Sequence, residues 1–296
     1  MSRLARSLQA CAQFRMAMMI FRTTAQDVLG LFNVTPQTRQ ALADWRADNS
    51  KKDTVVPFVE AHETSSVYQL EPGDVERVCR TTEHALGEVK RVTAESIQDI
   101  VDWHPDFAFM HVLHYCVEAT SELPTWQRFC EFVREDRQAR AMLWRPAQEE
   151  VQRVASSSAG ISRSIVKDAM RWRVGNAYYS FLREIYVTTH LRAAGLDVRM
   201  HPLADALFRV DFWCGRTACS LLVKNSKFHK DDEGRKRQTS ELLSGAMPPF
   251  QFHKIQLERA SRFGVVHLPG AEQIELAAKQ LHTVVQMPSP GVDGQS

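Results

Sequence analysis

The feature that most limits the fold is a change of hydrophobic period near residues 156–164. Before it, apolar residues recur at three and four, as in Met110, Leu113 and Val117, or Trp126, Phe129, Cys130 and Val133. That is the spacing of one helical face. Helices are predicted over 35–47, 74–90, 95–119, 124–142 and 146–155, and NSKKDTVVPFVEAHETSS (49–66) reads as a loop. Pro124 at the opening of TWQRFCEFVRE marks a helix start. After SSSAGISRS (156–164), the predicted linker, the grammar changes. One long helix is expected over 165–194, stopped by Gly195. Three short β-like segments follow at 196–202, 206–215 and 217–225, the last two joined by a Gly215-Arg216 turn. Helices are then expected near 239–245 and over 250–261, a strand over 262–269 and a last helix over 271–285. The predicted class is α+β: an N-terminal α-helical domain over 23–155, then a small α-β-β-β-α-β domain over 165–287 and a disordered tail over 288–296.

With 296 residues, 44% of them hydrophobic and 24% charged, the chain can bury real cores, which excludes global disorder. Its net charge of +2 hides an asymmetry. Residues 23–159 carry 14 Lys/Arg against 22 Asp/Glu, and residues 160–264 carry 18 against 10. A basic half of this kind points to a polyanionic partner, or to neutralisation against the acidic half. The six cysteines form no CxxC pair and no zinc spacing, so free thiols in a reducing compartment are expected. His111 and His114 stand at ligand spacing, but nothing in the sequence completes a site, and core histidines are the simpler reading.

Residues 1–22 carry Arg3, Arg6, Arg15 and Arg22, and no acid precedes Asp27. A basic, amphipathic, acid-free start has the composition of a mitochondrial presequence, and an ordinary first helix is the alternative. No stretch reaches the roughly 18 apolar residues of a membrane span, so no membrane partner is expected.

The order helix, three strands, helix, strand resembles the PD-(D/E)xK restriction-endonuclease-like fold. In that family an acid on the second strand and an acid-x-Lys on the third hold a divalent ion beside the scissile phosphate. The resemblance puts Asp211 at the first acid and Lys224 at the lysine, with Glu184 as a helix-borne replacement for the second acid. The second acid's own position holds Leu222, which cannot ligate magnesium. A narrower likeness covers roughly 190–285. Val210-Asp211-Phe212, the apolar Leu221 to Asn225, Phe228-His229, Leu243-Ser244-Gly245, Lys254 with Leu257, and Gly264-Val265-Val266-His267-Leu268-Pro269 follow one another as in a RAP domain, the carboxy-terminal module of organellar RNA-binding proteins. The Phe-His pair stands in reversed order, and the family's acid on the third strand is missing.

What the resemblance implies is mitochondrial or plastid RNA metabolism: processing, stability or translation of transcripts, or ribosome assembly. With the presequence-like start and the missing acid, the expectation is a non-catalytic RNA-binding protein of the mitochondrial matrix, acting in RNA processing, stability or mitoribosome assembly. Lys224, Lys227, His229, Lys230, Arg235, Lys236, Arg237 and Lys254 are the candidate phosphate contacts. Trp213 and Phe228 are candidates for base stacking, with sheet core as the competing place for Trp213. No cofactor is expected. Two alternatives stand: a metal-dependent nuclease using Asp211, Glu184, Lys224 and magnesium, or a subunit of a ribonucleoprotein that docks on other proteins through its helical half.

Overall fold

The computed structural model describes residues 21–157, 161–223, 238–258 and 261–286. Reciprocal caps open the first helices. β1 (Thr23–Thr24) leads into α1 (Ala25–Phe32), where the Thr24 hydroxyl accepts from the Asp27 amide and the Asp27 carboxylate accepts from the Thr24 amide at 2.8 Å. Thr35 and Thr38 repeat this device before α2 (Pro36–Ala47), with Pro36 in the first turn, where its missing N–H is harmless. Then come α3 (Val55–Glu60), β2 (Glu63–Thr64), which pairs antiparallel with β1, and α4 (Pro72–Thr81). The helix expected over 95–119 is instead three pieces, α5 (Arg91–Glu95), α6 (Gln98–Asp102) and α7 (Phe109–Thr120). Pro105 lies in the break, where a proline disfavours helix before it. α8 (Trp126–Glu135), α9 (Arg137–Ala139), a π-turn (Arg140–Trp144) and α10 (Arg145–Ser157) follow.

α11 (Arg163–Ala193) is the central element. Its second half is buried on every side, through Tyr178, Phe181, Leu182, Ile185, Tyr186, Val187 and Leu191. A helix without a polar stripe has protein all round it. β3 (Val198–Arg199), α12 (Pro202–Phe208), β4 (Phe212–Cys214), β5 (Thr217–Val223), α13 (Thr239–Leu242), β6 (Gln251–Leu257), β7 (Ser261–Phe263), β8 (Val266–Leu268) and α14 (Ala271–Gln286) complete the order. The chain is mixed α and β.

Two elements correct the sequence reading. Residues 202–208, placed partly in a strand, form α12, because His201 caps the helix by accepting from the Leu203 amide and Pro202 fits its first turn. Residues 251–257, expected within a helix over 250–261, form β6. The four-stranded sheet runs β3-β4-β5-β6. Its first two pairings are antiparallel and the last is parallel, with Thr217 opposite Gln251 and Val223 opposite Leu257. The expected single strand over 262–269 is the β7–β8 hairpin, which pairs with itself rather than with this sheet.

The two halves share one core. A single cluster of buried side chains includes Val28, Phe32, Val117 and Phe129 from the first half and Phe181, Phe208, Phe212, Leu268 and Leu281 from the second. Phe32 sits 5.3 Å from both Trp213 and Phe250 and 5.7 Å from Phe208. Polar contacts cross as well: Thr35 donates its hydroxyl to the Leu242 carbonyl at 2.6 Å, and Tyr68 donates to the Met200 carbonyl at 2.8 Å. No helix among the described residues is long and apolar enough to cross a membrane.

Candidate nucleic-acid interface

Alternate residues of a strand share a face. In β6, Phe252, Lys254 and Gln256 are exposed, while Ile255 between them is buried. The parallel register sets Ala218, Ser220 and Leu222 of β5 opposite these three. Cys219 of β5 turns the other way and is fully buried. Phe252 and Leu222 are 42% and 41% exposed, high for large apolar side chains. One side of the β5–β6 pair therefore carries a cation, an aromatic ring and an amide toward solvent.

Carboxyl groups lie beside this pair. Asp211, just ahead of β4, donates its amide to the Cys219 carbonyl at 3.1 Å, and its carboxyl accepts from the Leu221 amide at 2.6 Å. Burial first, and the charge of Asp205 second, push its pKa up to about 7, against the pull of the Leu221 amide. Glu184, on α11, is driven well above the ordinary carboxylate range by burial and by the charges of Asp211 and Asp205. Glu184 thus feels the charge of Asp211, the acid with which the resemblance paired it as a metal ligand.

Of the carboxylates that would hold a nuclease's magnesium, the one on the third strand is missing. Leu222 stands at the second acid's position and faces solvent. Among the described residues no group of three or more His, Cys, Asp or Glu side chains is arranged to hold a metal ion.

No family model, curated protein or solved structure matches the chain. Of the candidate phosphate contacts, Lys254 is on the exposed face, whereas Lys224, Lys227, His229, Lys230, Arg235, Lys236 and Arg237 lie outside the described residues, as does Phe228. Trp213 is 5% exposed, edge-on to Phe32, so it is core and unavailable for stacking. Phe252 is the aromatic group that the sequence reading missed. The sequence pattern over 250–261 reads as a helix, in which alternation of Phe252 with buried Ile255 carries no weight.

The raised carboxyls predict a pH signature. For Asp211 the folded pKa is about 7 and the ordinary value 3.8, so its contribution to stability is full below 3.8 and is lost as pH rises through 7. Taken alone, this group lowers the stability of the folded chain by about 2–3 kcal/mol from pH 5 to pH 8. Asp211→Asn should remove that part of the slope, read by urea denaturation at the two pH values. An unchanged slope would show that Asp211 is ionised in the folded chain.

Proposed function

We propose that this protein binds single-stranded RNA across the exposed face of β5 and β6, as a non-catalytic module on a restriction-endonuclease-like core of the RAP type. The observation that carries the reading is the row Phe252, Lys254 and Gln256 facing solvent on β6. A lysine there neutralises backbone phosphate, and an exposed ring offers a stacking platform to unpaired bases. The basic run Lys224 to Arg237 follows the end of β5 in sequence and adds to the positive charge of this half of the chain. Asp211, with its pKa pushed up to about 7, and Glu184, driven well above the ordinary carboxylate range, carry less negative charge than ordinary carboxylates and so oppose phosphate less. The strand order, with two antiparallel pairings and one parallel, supports the core assignment. The acid-free start of the chain supports a place in the mitochondrial matrix, where RNA processing or mitoribosome assembly would be the setting.

The test is binding of labelled single-stranded RNA by the full chain, since the shared core rules out testing the second half alone. Salt-sensitive binding without cleavage is expected. Phe252→Ala should weaken it by roughly 10- to 100-fold, the contribution of one stacked base. Lys254→Ala should reduce the slope of log affinity against log salt by about 0.7, one single-strand phosphate contact. Absence of binding would sink the proposal, and so would magnesium-dependent cleavage abolished by Asp211→Ala.

A further inference from the structure

Four histidines meet where the helical half touches the sheet half. His62 follows α3, His111 and His114 lie on α7, and His201 precedes α12. All four are more than nine-tenths buried. The His62 ring lies 5.1 Å from that of His201, 5.3 Å from His111 and 6.2 Å from His114. Nε2 of His62, both ring nitrogens of His111 and Nδ1 of His114 have no hydrogen-bond partner. Among the described residues these rings are not set to hold a metal ion. His201 is the one that is tied down. Its Nδ1 accepts from the Leu203 amide at 3.0 Å, so the proton is on Nε2, which donates to the His62 carbonyl at 3.0 Å. One imidazole thus caps α12 and bonds the sheet half to the helical half.

We propose that His62, His111, His114 and His201 form a proton-sensitive clasp that holds α12 and the sheet against the helical half when neutral and releases them when protonated. A proton on Nδ1 of His201 would set two donors face to face and destroy the α12 cap. A proton on any of the others would place a charge among rings, since Phe58 of α3 and Phe107 pack on His111, and Phe181 of α11 packs on His114. The carboxylates felt by the cluster are Asp27 of α1 and Glu118 of α7, both acting on His201. Each is already engaged: Asp27 on the Thr24 cap, and Glu118 on the amides of Ser65, Ser66 and Val67. Burial outweighs them. It holds His62 and His201 at about 4, and His111 and His114 well below the ordinary 6.5.

The stability that comes from neutral imidazole is full above pH 6.5 and is lost as pH falls toward 4. Within that window each such histidine makes the unfolding constant rise about tenfold per pH unit. Glu184 and Asp211 act with the opposite sign over the same range, so the variant must be compared with wild type at each pH. Urea unfolding of the full chain at pH 6.5, 5.5 and 5.0 should show the constant of His111→Leu/His114→Leu rising about 100-fold less per pH unit than that of wild type. If that variant does not fold, NMR of ring-labelled histidine in the wild-type chain decides. The four rings should stay neutral down to pH 5 in the folded protein. Titration of any of them near 6.5, or equal pH slopes for the two chains, would overturn the clasp. So would a zinc-dependent stabilisation at pH 7 that the double variant loses, since the rings would then be metal ligands.

Discussion

Phe32→Ala is expected to destabilise the whole chain by about 3–5 kcal/mol, although Phe32 lies in the first described helix. Its ring is fully buried against Phe208, Trp213 and Phe250, which belong to α12, β4 and the approach to β6. Truncation removes the transfer energy of the ring and leaves a cavity that three aromatic neighbours fill poorly. Circular dichroism should report the loss of helix, and tryptophan fluorescence the loss of packing around the chain's six indoles, Trp213 among them. Because one core includes both halves, the two signals should fall together at a lower urea midpoint. Two separate transitions, with only the helical signal weakened, would show that the halves fold independently.

Gly264→Ala should cost about 3 kcal/mol or more, through two separate causes. Gly264 lies in the β7–β8 turn with φ at +57°, a left-handed conformation that side chains resist. A Cβ there would also stand 2.6 Å from the Cys79 carbonyl oxygen and 3.2 Å from the Arg80 Cα, both backbone atoms of α4 that cannot swing aside. The control is Gly215→Ala in the β4–β5 turn. There φ is +54°, but nothing lies within 4 Å of an added Cβ. That substitution should cost only about 1–2 kcal/mol, the conformational part alone. Equal losses in the two variants would mean that the hairpin moves off α4 easily. The turn glycine of the Gly-Val-Val-x-Leu-Pro run thus has a local reason to be glycine: the hairpin docks backbone to backbone.

Where local pattern and tertiary environment agree, the chain was readable. α2, α10, α11 and β5 lie within a few residues of their predicted bounds, because caps, helical spacing and the Gly215 turn are local signals. β6 was not readable. Phe252, Ile255 and Leu257 are apolar at spacings that suit a helix nearly as well as a strand, and the parallel partner that decides is some thirty residues away. α12 carried its signal in His201 and Pro202, but the β-like Ala206 to Cys214 run outweighed it. In the candidate site, Asp211 and Glu184 could be named together because a family pattern supplied the pairing. Phe252 could not, since its exposure depends on the register with β5. The histidine cluster was half visible as His111 and His114. His62 and His201 reach it only through the fold.

The contacts of Phe32 also bear on how the chain is made. α1 is synthesised early, yet the rings that cover Phe32 belong to residues 208, 213 and 250. At translation rates of about 5–20 residues per second, that side chain waits roughly ten to forty seconds for its last partner. During that interval the nascent helical half exposes an aromatic surface that it cannot cover itself. Closing it requires loops of up to the 218 residues that separate Phe32 from Phe250. So non-local a fold is slow to form. The growing chain is therefore expected to depend on chaperones that shield apolar surface until β6 has been made.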